Sequence, residues 1–370
     1  MSIIYSGGIP IPRVNDKDLH FLHRLTILYG PSGSGKSSII LHILNTLRDH
    51  VPIGIVCCPT AAMNADYDNI FPNQCIYDDL TKPLLQRIFQ RQNNVMTMYN
   101  LVRDPETLRP LYQKIADSES KSKIDKLDSI YRKGCRDIKT GYEEDEVDST
   151  LDELTSKYNK KLVKIMRACI ISNMKRLRSC TISDMQKTLL HNFQLNPSII
   201  LLIDDCAASI KDWKDLTETK QLFFQGRHFR VTTILTMQND SIIPPPLRMN
   251  AHISIFTTEK IVNTFYNKAS SGASTEDRKR ISRIANDIFA PSDDRSRPNY
   301  KKIVVFGAII KTEHKIQYII GCPKKKRFGS QALWQICNQV QREVSTSISS
   351  NSFSKMFALK QTPALEPIPQ

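Results

Sequence analysis

The 370-residue chain has no apolar run near the roughly 18 consecutive residues that a membrane helix needs. Its first residues also lack the pattern of a secretory signal. The expectation is a protein that neither spans a membrane nor is secreted. Nine cysteines are scattered along the chain with no C-x-x-C pair; Cys57 and Cys58 are adjacent, and Cys206 follows two acids. That argues against a disulfide framework and against a zinc site, and points to reduced, intracellular thiols. The N-K-x-D guanine-reading motif and the common DNA-recognition motifs are missing too. Negative charge is short: 37 Asp and Glu face 52 Lys and Arg, for a formal net charge of +15. Such an excess either serves solubility alone or marks a polyanionic partner, most often nucleic acid.

What is present starts with RLTILYGPSGSGKSSII at residues 24–40. It reads as an apolar strand, a glycine-rich turn and the first turn of a helix. Gly30, Gly35, Lys36 and Ser37 fit the G-x-x-x-x-G-K-[ST] phosphate loop, with Pro31, Ser32, Gly33 and Ser34 between them and Ser38 just after. The glycines let backbone N–H groups face phosphate oxygens with no Cβ in the way. Lys36 has the reach for the β- and γ-phosphates, and the Ser37 hydroxyl is placed to hold Mg²⁺. The helix that starts here adds its positive N-terminal dipole.

Short apolar runs recur at 25–29, 53–58, 199–203, 232–237, 253–257, 303–310 and 316–320. The first five are nearly continuous, as strands buried on both faces of a mostly parallel sheet are. Segments with helical spacing, such as 37–49 and 212–225, lie between them. The expected fold class is α/β: a P-loop NTPase with a mostly parallel central sheet of the additional-strand (RecA-like) type, carrying a helical insertion.

Ile199-Ile200-Leu201-Leu202-Ile203-Asp204-Asp205 is a buried strand ending in two carboxylates. Asp204 is assigned to Mg²⁺ and Asp205 to activation of the attacking water. The run 232–237 ends in Gln238, a polar tip suited to sensing the γ-phosphate. With no guanine-reading motif, ATP is the expected nucleotide. Arg227, eleven residues before Gln238, follows a helix and precedes a buried strand. It is the first choice for an arginine finger that reaches a neighbouring subunit's ATP, with Arg230 and Arg248 as rivals.

The boundaries expected are a lead-in over 1–22, an ATPase core over 23–102 and 196–322, and a charged helical insertion over 103–195. Within the insertion an acidic cluster at 143–148 precedes a basic stretch, Lys157 to Arg178. There Leu154, Tyr158, Leu162, Ile165 and Cys169 recur as the apolar side of one amphipathic helix. Its basic side is either a plain solvated face or a surface for DNA or a partner. Residues 323–345 form a basic segment opened by Pro323-Lys324-Lys325-Lys326-Arg327, which fits a nuclear-import signal, a phosphate contact or a strand cap. Residues 346–370, rich in Ser and then Pro, read as a disordered tail.

Taken together, GPSGSGKS at 30–37, IILLIDD at 199–205, QGRHFRVTTILTMQ at 225–238 and PPPLRMNAHISIF at 244–256 resemble the FtsK–HerA superfamily of ring translocases. Within it they are most similar to the genome-packaging ATPases of poxviruses and other nucleocytoplasmic large DNA viruses. CPTAAMNADYDNIFPN at 58–73 and RSRPNYKKIVVF at 295–306 are similar to that group as well. The resemblance covers about residues 24–320 apart from the insertion. One departure is Asp205, where the bacterial translocases carry glutamate. The resemblance implies a homo-oligomeric ring that hydrolyses ATP and drives double-stranded DNA into a preformed capsid, docked on a capsid or vertex protein. It implies a place in the virion and in a cytoplasmic virus factory or the nucleus. Alternatives are a non-packaging, helicase-like translocase of the same superfamily and a nucleotide-binding scaffold for capsid assembly.

Overall fold

The computed structural model describes residues 4–141, 144–206, 210–238, 243–291, 299–307 and 316–350. The chain divides into two compact units, one of residues 1–89 and 198–370, the other of residues 90–197.

The first unit is built on an eight-stranded sheet. In chain order the strands of this unit are β1 (Ile4–Ser6), β2 (Ile9–Ile11), β3 (Leu25–Tyr29), β4 (Ile53–Cys57), β5 (Ile76–Tyr77), β6 (Ile199–Ile203), β7 (Val231–Met237), β8 (Ile253–Phe256), β9 (Lys301–Phe306) and β10 (Ile316–Ile320). β1 and β2 form a separate antiparallel ribbon; the others lie in the order β10-β9-β8-β3-β7-β6-β4-β5. From β8 to β5 every pairing is parallel, and β9 and β10 extend the sheet antiparallel. The expected α/β class is therefore borne out. β7 stands between β3 and β6, which is the added strand of the expected type.

Continuous apolar runs form the middle of this sheet because both faces are covered. Alternate side chains of a strand point to opposite faces, and two separate cores result. Ile27, Tyr29, Leu201 and Ile203 enter one, with the helices Glu259–Asn267 and Thr275–Phe289. Leu28, Ile200 and Leu202 enter the other, with Ile39, Ile40, Ile43 and Leu44 of the helix Lys36–Leu47. The expected helix over 212–225 is two helices, Ile210–Trp213 and Thr217–Gln225. Trp213, fully buried between them, anchors the break.

Gly54 on β4 shows how tight the second core is. A Cβ there would stand 2.2 Å from Phe71 Cε1 and 2.9 Å from Phe328 Cδ1. Gly54→Ala should therefore destabilise the unit by about 1–3 kcal/mol, the usual range for overpacking, read as a lower urea midpoint.

The second unit, residues 90–197, is helical. The long helices Ser118–Gly141 and Glu144–Ser172 pack with the shorter Pro105–Gln113 around Leu108, Leu111, Ile115, Leu162, Met166 and Ile170. Tyr131 stacks on Tyr158 at 4.3 Å, and the Tyr158 hydroxyl donates to Asp128 at 2.7 Å. Leu162 and Cys169 are buried as the amphipathic reading expects, while Lys157, Lys160, Lys161 and Lys164 face solvent. Glu143 lies outside the described residues.

After β10 the chain crosses the first unit without helix or strand and then forms the helix Gln331–Ser350. That helix runs through the first residues read as tail; residues 351–370 lie outside the described residues. Residues 308–310, expected to end a strand, lie outside them as well. Among the described residues no helix is long and apolar enough to cross a membrane.

Candidate active site

β3 delivers the phosphate loop at the carboxyl edge of the sheet, where α/β sheets bind ligands. Gly33 and Gly35 take φ of +71° and +90°, values that side-chain-bearing residues rarely adopt. Gly30 is glycine for want of room. A Cβ would lie 2.0 Å from Thr257 Oγ1 and 2.5 Å from Ser34 Oγ. Thr257 follows β8 and braces the loop from behind: its hydroxyl donates to Ser34 Oγ at 2.8 Å and lies 3.1 Å from the Tyr29 carbonyl. Lys302 on β9 supports Thr257 in turn, donating to its carbonyl at 3.1 Å. The Gly30 amide bonds to the Met237 carbonyl, tying the loop to β7.

Lys36 opens the helix Lys36–Leu47 and donates to the carbonyls of Gly30 and Pro31, both at 2.9 Å. Burial lowers its pKa, and the carboxylates of Asp204 and Asp205 oppose that shift. The ammonium is thus partly desolvated, which strengthens its attraction for a phosphate oxygen.

β6 delivers the acidic pair beside this loop. Each oxygen of Asp204 accepts a hydroxyl: Oδ1 from Thr236 at 2.6 Å and Oδ2 from Tyr67 at 2.5 Å. Burial, followed by the neighbouring Asp204 charge, pushes the Tyr67 phenol well above its ordinary pKa, so it keeps its proton and remains a donor. Asp205 has φ of +56°, a conformation a non-glycine residue holds only where its surroundings fix it. Here the fixings are Thr236 Oγ1, which accepts from the Asp205 amide at 3.1 Å, and Gln238 Nε2, which donates to Asp205 Oδ1 at 2.9 Å. Thr236 therefore links both acids, and Gln238 at the end of β7 grips the outer one.

A polar cavity of about 280 Å³ brings the expected residues together. Ser32, Gly33, Gly35, Lys36, Ser37 and Ser38 of the loop line it with Asp204, Asp205 and Gln238. Gly30, Pro31 and Ser34 form the loop's base. Thr60 and Asp66, from the segment after β4, complete the wall. Among the described residues no three His, Cys, Asp or Glu side chains assemble a metal cage. The oxygen donors Ser37 and Asp204 fit Mg²⁺ nonetheless, because that ion takes few protein ligands and completes its shell with water and nucleotide phosphates.

The arginines are elsewhere. Arg227 lies in the turn before β7, at the opposite edge of the sheet from Gln238, separated by the seven residues of β7, roughly 20 Å of strand. It is exposed. Arg230, also in this turn, is half-buried, and its charge together with burial lowers the His23 pKa to about 4, burial being the larger cause. Arg248 is buried, with its guanidinium 5.7 Å from the centre of the Phe265 ring. Of the three, Arg227 is the most exposed.

Tyr67, Thr236, Thr257, Lys302, Thr60 and Asp66 belong to the site although sequence reasoning gave none of them a role. Tyr67 and Asp66 had a signal, the Asp-Tyr-Asp pattern at 66–68; Thr236 and Thr257 had none.

With the site's geometry in view, known proteins can be set beside it. The chain is similar along its whole length to a viral protein. This is the uncharacterized protein B354L of African swine fever virus, 27% identical over 377 residues that cover 97% of this chain and 99% of the relative. The uncharacterized protein L437 of Acanthamoeba polyphaga mimivirus is 23% identical over 224 residues, 60% of this chain and 48% of that protein. Among solved structures, the genome packaging NTPase B204 from Sulfolobus turreted icosahedral virus 2 in complex with AMPPCP aligns at 13% identity with a TM-score of 0.32. That alignment covers 80% of this chain and 96% of the other. The bacterial conjugative coupling protein TrwB aligns at 12% identity with a TM-score of 0.33, covering 90% of each chain. No protein-family model matches the chain.

Proposed function

We propose that this protein is a Mg²⁺-dependent ATPase of the FtsK–HerA type that moves along double-stranded DNA and drives it into a preformed viral capsid. The observation that carries the reading is the single cavity in which Lys36, Ser37, Asp204, Asp205 and Gln238 converge on one phosphate loop. Lys36 and the loop amides bind the β- and γ-phosphates. Ser37 and Asp204 hold Mg²⁺, whose contribution is to neutralise charge building on the phosphate oxygens. Asp205 orients the attacking water and takes its proton. Gln238, bonded to Asp205 Oδ1, is the link through which loss of the γ-phosphate reaches β7. A net basic chain holds any sequence of duplex by its phosphates, as a sliding motor must. Whole-length similarity to a protein of a large DNA virus supports packaging as the purpose, and with it a ring of identical subunits, a capsid or vertex partner, and residence in the virus factory or nucleus and the virion.

In this reading Tyr67 is a positioning residue for Asp204. Tyr67→Phe removes one charge-assisted hydrogen bond, worth about 1.5–3 kcal/mol. Roughly a tenfold to hundredfold loss of kcat follows, with KM for ATP nearly unchanged, and the Mg²⁺ concentration for half-maximal rate should rise. Arg227 acts in trans. Arg227→Ala should assemble and bind ATP yet hydrolyse it about a thousandfold more slowly; full activity would hand the role to Arg230.

The test of motor function is displacement of a third strand from a triplex on linear duplex DNA, run beside a forked duplex. Triplex displacement that needs ATP, without fork unwinding, is expected. Fork unwinding would make the protein a helicase instead.

A further inference from the structure

A second cavity, of about 750 Å³, opens on the first unit. Two separate stretches supply its cations. Arg13 and Lys17 come from the lead-in after β2, Lys324 and Lys326 from the crossing segment after β10, and all four side chains are exposed. The helix Lys36–Leu47 supplies the amide Asn45 and the buried ring of His42. The lining has one carboxylate, Asp16, and His42 Nε2 engages it at 2.8 Å. Among the described residues no carboxylate pairs with Arg13, Lys17, Lys324 or Lys326 within salt-bridge distance. The cavity is therefore a concave, strongly positive surface whose only acid is already occupied.

The basic run 324–327 is built into the body. Asn45 Nδ2 donates to the Lys324 carbonyl at 2.9 Å, and the Lys325 ammonium turns away to the Ala65 carbonyl at 3.3 Å. Arg327 lies over the Trp334 ring at 5.1 Å. Phe328 is buried, and its amide bonds to the Ile70 carbonyl. Lys324 and Lys326 thus face the cavity while Lys325 does not, the alternation of a segment laid flat on a surface. Upstream, the Cys322 amide bonds to the carbonyl of Ser38, in the first turn of the phosphate-loop helix.

We infer that this cradle grips consecutive phosphates of a nucleic-acid strand, and that in the DNA motor proposed above it is the duplex-holding surface. Uncompensated lysines and arginine, with one amide donor and no Phe, Tyr or Trp in the lining, suit phosphodiesters of any sequence. The bond from Cys322 to Ser38 joins this surface to the nucleotide loop, so a shift of the loop helix on hydrolysis moves the grip. The inference rests on the motor reading, and its test separates the two.

The test is equilibrium binding of a fluorescent 30-base-pair duplex of mixed sequence to the full chain across a salt series. Each lost phosphate contact lowers the slope of log K against log salt by about 0.9. Lys324→Ala with Lys326→Ala should lower it by about 1.8. DNA-stimulated ATP hydrolysis should fall in parallel, while DNA-free hydrolysis and the melting temperature stay as in the parent. Lys324→Arg with Lys326→Arg should restore both slope and stimulation. A parent protein that binds duplex while the alanine pair keeps its slope would overturn the cradle and leave the motor standing. A parent that binds no duplex would overturn both. Displacement of the duplex by stoichiometric tripolyphosphate would assign the cradle to a free polyphosphate and overturn its role as a strand grip.

Discussion

Replacing Asp205 by asparagine should slow ATP hydrolysis by about 10²–10⁴-fold, the contribution of a positioned general base, and leave ATP affinity within a few-fold of the parent. The substitution keeps shape and keeps an oxygen for Gln238 Nε2, which donates to Oδ1 at 2.9 Å. The amide at 3.1 Å from Thr236 Oγ1 is untouched, so the left-handed backbone at φ +56° persists. What disappears is the ability to accept a proton. Single-turnover hydrolysis with a separate titration of a fluorescent ATP analogue reads the two effects apart. A loss smaller than about tenfold would remove Asp205 from the role of base and pass it to Asp66, the other unassigned carboxylate lining the cavity.

The second large effect is Lys36→Ala. ATP hydrolysis should become undetectable, because one electrostatic donor to the transferring group contributes about 10²–10³ by itself and ground-state binding is lost with it. Stability should barely move. Burial already lowers the Lys36 pKa, which means the fold disfavours the charge it holds there. Alanine relieves that desolvation at the expense of two hydrogen bonds to the Gly30 and Pro31 carbonyls. The protein without nucleotide should therefore melt within a degree or two of the parent. The difference appears on adding Mg-ATP. A ligand at a hundred times its Kd stabilises by about 2.7 kcal/mol, and the variant should show none of it. A variant that is still stabilised by Mg-ATP would separate Lys36 from phosphate binding.

Much of this fold is legible in the chain because the middle strands are covered on both faces. LTILY and IILLI are apolar at every position or nearly so, and each lies fully buried in the sheet with its neighbours in parallel register. β1, β2 and β5 escape notice for the opposite reason: three, three and two residues are too few to display any period. β4 ends on Cys57 and Cys206 follows the acidic pair after β6, and all nine cysteines are free thiols.

The candidate site divides the same way. Lys36, Ser37, Asp204 and Asp205 are legible because loop chemistry and strand ends are local. Tyr67 is legible only as part of the Asp-Tyr-Asp pattern; its role is not, since its partner Asp204 lies 137 residues away and meets it only through the sheet order. Thr236 was hidden inside an apolar run, where period alone makes it a core residue. Thr257 and Lys302 act through a loop they never adjoin in sequence. For Pro323–Arg327, composition left three readings open, and bonds to Asn45 and Ala65, with the next residue, Phe328, bonded to Ile70, show the run seated on the body.

Steady-state ATP hydrolysis by the purified full chain, with and without long double-stranded DNA at two salt concentrations, tests the central claim most directly. The account predicts Mg²⁺-dependent turnover that duplex DNA stimulates and that added salt returns to the DNA-free rate, since the grip is on phosphates. ATP binding without turnover, with DNA present or absent, would contradict it and make the protein a nucleotide-binding scaffold.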